Sequence, residues 1–329
     1  MDHFIFLIAA EHQLFQVIEA IDKYNIEADR MTLIIEDMGD DELVRKITEN
    51  TKIGKVLVFK NWVFKDIFIN PSKHRNFISY CKKVRNENNQ ILFFASHYNS
   101  DNTLIFLSLV KPTSFYIMDE GTASFTVSYL RSKANSDAFK LIMKSLLYGF
   151  VLRIPKSLIY FTKYNFQILS TDRIENYAPV KVLNPLSTFN DKAAIFLGTS
   201  VVEVGIMKED MYLKYLNSVF HSFSGDNHYY YPHRKEAESK LNSIREIGFT
   251  VMKSQGPFEN LFAELKVSPI RIGSFICTTV LDNISRTNVK VPDLIIYEFD
   301  LDYLLKDKYV YGQIAAMMKS NSRLTFVEI

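Results

Sequence analysis

Cysteine, net charge and long apolar runs are all scarce in this sequence of 329 residues. The two cysteines, Cys81 and Cys277, lie far apart in sequence and give no sign of a disulfide framework, which fits a reducing compartment. A net charge of +2 argues against a dedicated nucleic-acid-binding protein, since such proteins need a strong basic field. The apolar runs are too short to predict a transmembrane helix, and the first lacks the features of a signal peptide.

Apolar residues are plentiful, at 47%, and they alternate between strand-like and helical spacing. In the first half, strands are predicted at 3–10, 31–37, 54–61, 90–96 and 114–120, and helices at 12–24, 40–50, 65–88 and 101–110. In the second half, strands are predicted at 193–200, 228–233, 248–252, 269–276 and 293–299, and helices at 208–222, 235–247, 257–267 and 278–284. Strands that alternate with helices indicate parallel sheets covered by helices on both faces.

A proline-containing stretch at 177–192 interrupts this alternation and is the best candidate for a linker. The sequence therefore predicts an α/β protein of two Rossmann-like domains facing a cleft, at 1–186 and 187–329. The last segment, 306–329, is predicted to be a helix that packs back on the first domain.

The first candidate for chemistry is Asp119-Glu120-Gly121, at the end of a predicted strand. Ligands of parallel sheets bind at the carboxyl ends of strands, and a carboxylate there can take a proton from a substrate hydroxyl. Gly121 lets the backbone turn sharply. An ordinary polar turn has the same composition, so the motif alone leaves both interpretations open.

The second half offers candidates at one strand end and two helix starts. His233, in the stretch YYYPHRKE, can donate to a phosphate oxygen or protonate it. Glu259 opens a predicted helix and could hold a ribose diol. Thr278 and Thr279 begin the next helix, where hydroxyls and backbone N–H groups can bind phosphate. A surface histidine and N-capping threonines are the ordinary alternatives.

The order of these residues resembles that in bacterial sialyltransferases of the GT-B type. The family most similar is the lipooligosaccharide sialyltransferases, glycosyltransferase family 52, which carry an acid-acid-Gly motif, a His-Pro motif and a hydroxyl pair. The stretches HQLFQVIEAI, DEGTASF and FLGTSVVEVG also look like that family, so the resemblance covers most of residues 1–285. Two departures are Arg234, where the family has proline after the histidine, and Thr278-Thr279 in place of serines.

This resemblance implies roles for each matching residue. Asp119 or Glu120, with Asp119 favoured, would be the general base on the hydroxyl of the acceptor sugar. His233 would contact the phosphate of a CMP-sugar and assist the departure of CMP. Glu259 would hold the ribose of the donor, and Thr278 and Thr279 would bind its phosphate. The reaction implied is an inverting transfer that needs no metal or other cofactor.

The implied substrates are CMP-sialic acid and a terminal galactose of a bacterial surface glycan, lipooligosaccharide or capsule. That reaction would take place in the cytoplasm, at the inner face of the membrane, where the basic stretch at 131–163 would suit peripheral attachment to anionic lipid. No nucleic-acid partner is expected, and a homodimer is one assembly that the sequence leaves open.

Three other functions are compatible with parts of the sequence. Asp300-Leu301-Asp302 spells DxD, the metal motif of GT-A glycosyltransferases, although it falls near the end of the chain. The same fold could use another CMP-linked acidic sugar or a different nucleotide sugar. A carbohydrate-binding protein without activity is the third alternative, and the intact Asp119-Glu120-Gly121 and His233 argue against it.

Overall fold

The computed structural model divides the chain into two compact units, Met1–Ala178 and Pro179–Ile329. It describes residues 2–9, 11–37, 53–60, 71–87, 90–119, 123–132, 138–149, 151–177, 188–223, 227–254, 256–265, 267–276, 278–286 and 292–329. The predicted boundary, between residues 186 and 187, and the predicted helix at 40–50 lie outside these residues, as does Cys277.

The first unit is a parallel sheet with helices on both faces. Its strands are β1 (Asp2–Ile8), β2 (Met31–Asp37), β3 (Lys55–Lys60), β4 (Gln90–Ala95), β5 (Ser114–Met118), β6 (Ile159–Thr162) and β7 (Arg173–Asn176). They lie in the order β3-β2-β1-β4-β5-β6-β7, and each neighbouring pair is parallel. Its helices are α1 (Glu11–Tyr24), α2 (Pro71–Glu87), α3 (Asp101–Val110), α4 (Ala123–Ser132) and α5 (Ala138–Tyr148), with a short 3₁₀ helix at Ala28–Arg30.

Both faces of this sheet are apolar because alternate residues of each central strand enter different cores. On β1, Phe4 and Phe6 join the core beneath α1, whereas Ile5 and Leu7 join the core beneath α2 and α3. Because helices cover both faces of the sheet, polar side chains that meet a ligand are expected at the carboxyl ends of its strands.

The second unit repeats this architecture. Its strands are β8 (Thr188–Leu197), β9 (Asn227–Tyr231), β10 (Thr250–Val251), β11 (Val267–Phe275), β12 (Asp293–Glu298) and β13 (Thr325–Glu328). The order is β10-β9-β8-β11-β12-β13, again parallel throughout. Its helices are α6 (Glu209–Ser222), α7 (Glu238–Ile247), α8 (Phe258–Glu264), α9 (Val280–Ser285) and α10 (Lys308–Lys319), with a 3₁₀ helix at Leu301–Tyr303.

The predicted fold class is confirmed: two sheets of parallel strands, each flanked by helices. All ten predicted strands are present, with shifts of a few residues at their ends. Three strands were not predicted, β6, β7 and β13, each only four residues long.

Two predictions about the chain's course need correction. The final segment is not a helix throughout, because α10 is followed by β13, which pairs with β12 and so completes the second sheet. The predicted linker overlaps β8, which begins at Thr188 and pairs with Val267–Pro269 of β11.

Candidate functional site

Asp119 lies directly after β5, at the carboxyl edge of the first sheet, and it is only 3% exposed. Its two carboxylate oxygens accept hydrogen bonds from the hydroxyls of Ser124 and Thr162. The backbone N–H of Lys163 donates to the same oxygen as Thr162, at 3.3 Å. The side-chain amide of Gln16, on α1, donates to the Asp119 carbonyl, so both parts of the residue are fixed.

Burial raises the pKa of Asp119 to about 6, although the hydroxyl partners and the nearby Lys163 charge lower it. A carboxylate offers about four acceptor positions, so three donors leave capacity for one more. A general base works best when its pKa lies near the working pH. These properties suit Asp119 to the role predicted for it. Glu120 and Gly121 lie outside the described residues.

His233 lies two residues after β9, at the carboxyl edge of the second sheet, in a turn that leads to α7. The backbone N–H of Lys235 donates to Nδ1 of His233, at 3.2 Å. Because Nδ1 accepts this bond, the proton of a neutral imidazole sits on Nε2, which is then a donor. Burial, together with the charges of Arg234 and Lys235, lowers the pKa of His233 below its ordinary value.

The turn that carries His233 is anchored by a buried ion pair between Glu236 and Lys240. Lys240 Nζ lies 2.6 Å from Glu236 Oε1, and both side chains are fully buried. The other oxygen of Glu236 accepts the backbone N–H of His233, at 2.6 Å. Lys240 also donates to the carbonyl of Thr199, just beyond β8, at 3.0 Å. The position of His233 therefore depends on a charged contact that reaches the neighbouring strand.

Gly198 makes this anchor possible. A Cβ at that position would overlap the Glu236 carboxylate and lie 2.5 Å from the hydroxyl of Tyr230. Tyr230 itself donates to Glu236 Oε1, at 2.6 Å. Gly198, in the FLGTS stretch, is thus needed because it has no Cβ, which leaves room for the Glu236 carboxylate next to the end of β8.

Glu259 and the two threonines occupy neighbouring positions in the second unit. Glu259 is in the first turn of α8, and its Oε1 accepts from the side-chain amide of Asn283 on α9, at 2.8 Å. Thr279 is the N-cap of α9, but its side chain makes no capping bond. The hydroxyl of Thr278 accepts from the backbone N–H of Val280, at 3.3 Å.

The predicted residues of the second unit share one edge of its sheet. His233 follows β9, and Thr278 and Thr279 follow β11, with β8 between those two strands. Neighbouring strands lie about 4.8 Å apart, so His233 and the threonines are separated by roughly 10 Å along this edge. Glu259 joins the threonines through Asn283.

The DxD stretch has local structural roles. The Asp300 side chain caps the 3₁₀ helix by accepting from the N–H of Asp302, at 2.9 Å. Asp302 is exposed and pairs with Lys308 at 3.0 Å. In the part of the chain that the structure describes, no group of three or more potential ligands could hold a metal ion.

Sequence reasoning missed the supporting residues Glu236, Lys240 and Thr162. In the predicted helix 235–247 the first two are four residues apart on one face, a spacing typical of ion pairs, but such pairs are usually exposed. In the structure the helix begins only at Glu238, and Glu236 lies in the turn before it. Thr162 ends a short strand that was not predicted, so nothing in the sequence placed it beside Asp119.

Comparisons with known proteins show the fold. A glycosyltransferase from Rickettsia africae is 9% identical, with a TM-score of 0.52 over 98% of this chain and 92% of that one. S. aureus MnaA with UDP is 9% identical, with a TM-score of 0.51 over 98% and 89%. A 2,6-sialyltransferase from Photobacterium sp. JT-ISH-224, with CMP and lactose, is 9% identical, with a TM-score of 0.49 over 98% and 78%.

No family model matches the chain. No curated protein matches it either. The fold is that of GT-B glycosyltransferases, and the more specific resemblance to the lipooligosaccharide sialyltransferases rests on the sequence motifs.

Proposed function

We propose that this chain is an inverting, metal-independent sialyltransferase that moves sialic acid from CMP-sialic acid to a terminal galactose of a bacterial surface glycan. The observation that carries the proposal is His233. It stands at the carboxyl edge of the second sheet with Nδ1 occupied by a backbone N–H, which leaves Nε2–H as a donor. A phosphate oxygen is the ligand that such a donor suits.

The second unit would hold the donor sugar. His233 and the hydroxyls of Thr278 and Thr279 would bind the single phosphate of CMP, and Glu259 would accept from its ribose hydroxyls. Because the pKa of His233 is lowered, its imidazole is neutral near pH 7 in the free protein. A bound phosphate would raise that pKa again, because a nearby negative charge favours the imidazolium.

The first unit would supply the base. In the proposed reaction, the galactose hydroxyl oxygen attacks the anomeric carbon of sialic acid, and its proton passes to Asp119 or Glu120. The bond from that carbon to the phosphate oxygen breaks, and its electron pair leaves with CMP. His233 and the threonine hydroxyls would stabilise the negative charge that develops on the phosphate, which lowers the barrier.

These residues would bind the phosphate and ribose of the donor, and they do not select the sugar that it carries. Phosphate contacts from a histidine and hydroxyls would serve another CMP-linked acidic sugar, or a different nucleotide sugar, as well as CMP-sialic acid. A screen of nucleotide sugars distinguishes these alternatives directly, with transfer to lactose as the common readout.

Calorimetry with CMP, without added metal, tests the proposal. We expect wild-type protein to bind CMP in the presence of EDTA and His233→Ala to bind it about ten- to a hundredfold more weakly, since a charge-assisted hydrogen bond contributes about 1.5–3 kcal/mol. His221→Ala is the matched control, because His221 is exposed at the end of α6. Binding of UDP alone, and only with Mn²⁺, would refute the proposal.

A glycan acceptor of this class is anchored in a membrane, and the first unit has a surface that suits peripheral attachment. On α5 and just after it, Ile142, Leu146 and Val151 are 57%, 71% and 66% exposed. No acidic residue occurs from 138 to 171, and the nearby Arg153 and Lys156 are exposed. We propose that this face, the α5 face, lies on anionic lipid.

The basic stretch predicted to make that contact is only partly available. The side chain of Arg131 is 6% exposed, donates two hydrogen bonds to Asp172 and donates to the carbonyls of Pro155 and Lys156. Lys144 pairs with Asp101. No helix among the described residues is long and apolar enough to cross a membrane.

A further inference from the structure

The carboxylate of Asp119 is held unequally at its two oxygens. Oδ1 accepts one hydrogen bond, from the hydroxyl of Ser124 on α4, whereas Oδ2 accepts two, from the hydroxyl of Thr162 and the backbone N–H of Lys163. Each oxygen of a carboxylate has about two acceptor positions. Counting the donors of the described residues, Oδ2 therefore has both positions filled, and Oδ1 has one left.

Thr162, the last residue of β6, is fully buried, and the direction of its hydroxyl proton is fixed. The backbone N–H of Tyr164 donates to Thr162 Oγ1, at 3.1 Å, and this hydroxyl donates in turn to Oδ2 of Asp119. A hydroxyl has one proton, so an N–H on its acceptor side leaves that proton for the carboxylate. Hydrogen bonds joined in such a chain strengthen one another. Through Thr162, the backbone of the turn after β6 is thus linked to Asp119.

This turn is held in place by β7 and by α4. The side-chain amide of Asn176, the last residue of β7, donates to the carbonyls of Thr162 and Tyr164, at 3.2 Å each. The ring of Tyr164 is buried and lies 5.7 Å from the ring of Phe125, the neighbour of Ser124 on α4. The two short edge strands and α4 therefore fix the hydroxyls that contact Asp119.

We propose that Thr162 is a positioning residue for the proposed base: it fills Oδ2 of Asp119, so that Oδ1 is the oxygen that takes the proton of the acceptor. In this step the O–H bond of the acceptor breaks and its proton bonds to Oδ1. The electron pair of that bond stays on the acceptor oxygen, which forms the bond to the anomeric carbon as CMP leaves. The inference rests on the proposed function, because it concerns the base of that reaction.

The charges and donors around Asp119 agree with this assignment. They come from three elements: Gln16 of α1, Ser124 of α4, and Thr162 with Lys163 at the end of β6. Burial raises the pKa of Asp119 to about 6, and the hydrogen bonds from Ser124 and Thr162 and the charge of Lys163 oppose that rise. Removal of the Thr162 hydroxyl would take away a donor that favours the charged form, so the pKa would rise further.

Amide NMR of the wild-type chain, recorded across the pKa of Asp119, tests the chain of hydrogen bonds directly. We expect the amide protons of Lys163 and Tyr164 to titrate together, since one donates to the carboxylate and the other to the hydroxyl that donates to it. Neither should titrate in Asp119→Asn. A Tyr164 amide that stays constant while the Lys163 amide titrates would overturn the proposal, and this measurement needs no substitution at Thr162.

Substitutions at Thr162 test the same chain from its centre. Thr162→Val should raise the pKa of Asp119 by about 1–2, the equivalent of one hydrogen bond to a charged group, and abolish the titration of the Tyr164 amide. Thr162→Ser keeps the hydroxyl and should restore both. Thr32→Val is the matched control, because Thr32 is a buried residue of β2 whose hydroxyl contacts His3 Nε2, at 3.1 Å. It should leave the pKa of Asp119 unchanged.

The pH dependence of turnover gives a second readout. In Thr162→Val, kcat/KM with lactose should fall about five- to fiftyfold at pH 6 and recover towards the wild-type value near pH 9, as the acid limb moves with the pKa of Asp119. A residue with a merely structural role would lower kcat/KM equally at every pH, and that result would overturn the proposal.

The outcomes separate this inference from the proposed function. A pKa of Asp119 that depends on the Thr162 hydroxyl, in a protein that transfers nothing from CMP-sialic acid, supports the hydrogen-bond chain and removes the sialyltransferase. Transfer that proceeds while Asp119 has the same pKa in Thr162→Val and wild type overturns the role of Thr162 alone. Full turnover by Asp119→Asn also overturns it, because Asp119 would then not be the base.

Discussion

The two sheets present opposite chemistry at their carboxyl edges. In the first unit, Asp119 and Glu36 are buried carboxylates whose partners are hydroxyls and an amide, and burial raises the pKa of both. In the second unit, His233 lies beside Arg234 and Lys235, and its pKa is lowered. The architecture is the same, so the difference arises in the segments that follow the strands, which place buried carboxylates at one edge and a histidine beside cationic side chains at the other.

The largest effect is expected from replacing Asp119, the proposed base at the first edge. Asp119→Asn should lower kcat by about 10²–10⁴-fold, the usual contribution of a general base, with little change in the KM for CMP-sialic acid. Turnover with lactose as acceptor measures it, and Asp29→Asn, at an exposed position, is the control. A Glu120→Gln variant that loses turnover while Asp119→Asn retains it would move the role to Glu120.

The raised pKa of Asp119 has a stability consequence of definite sign. The folded protein holds this proton up to about pH 6, whereas the unfolded chain releases it near pH 4, so the group stabilises the fold below pH 4 and loses that contribution as pH rises towards 6. The free energy of unfolding of wild type relative to Asp119→Asn should therefore fall by on the order of 3 kcal/mol between pH 4 and 7. Urea denaturation at several pH values measures this difference, and a flat profile would contradict the assignment.

At the second edge, the ion pair beneath His233 should matter for folding. Lys240→Met should lower the free energy of unfolding by about 3–5 kcal/mol, since Glu236 would remain buried without its partner. Lys308→Met removes an exposed pair and should cost about 0–1 kcal/mol. The double variant Glu236→Gln with Lys240→Met should recover part of the loss. If Lys240→Met and Lys308→Met lowered the free energy of unfolding by the same amount, Lys240 would not support the turn.

The smallest effect concerns the outer surfaces of the two units. Leu146→Ser on the α5 face should weaken sedimentation with phosphatidylglycerol vesicles about tenfold, because burying a leucine contributes about 1.5–3 kcal/mol. Leu305→Ser, at an apolar residue of the second unit that is 58% exposed, should have no effect. Binding that is equal in both variants, or equal on phosphatidylcholine vesicles, would show that the α5 face does not contact anionic lipid.

The alternation of apolar segments was enough to predict the fold class. Long strands such as β1 and β2 carry continuous apolar runs, which is how strands buried on both faces are recognised. The short edge strand β7 is RIEN, in which no residue is buried, so no apolar pattern marks it. Only its parallel pairing with β6 in the structure identifies it as a strand.

The candidate site was predictable only at positions where a motif marks a strand end. Asp119 and His233 were found this way, and both lie where predicted, at the carboxyl ends of β5 and β9. Glu36 is the last residue but one of a predicted strand as well, but it stands in no motif, so sequence reasoning did not select it. From sequence alone, Lys240 is expected at the surface. In the structure its ammonium lies over the ring of Tyr212, and its partner Glu236 is held by Tyr230, so it is buried.

The space at Gly198 determines how readily the second edge tolerates mutation. An alanine there would displace the Glu236 carboxylate from the backbone of His233, although residue 198 itself offers no side chain to a substrate. Random mutagenesis that screens for lost activity should therefore recover substitutions at this glycine as often as at His233. The geometry of the turn that carries His233 thus depends on the absence of a methyl group at residue 198.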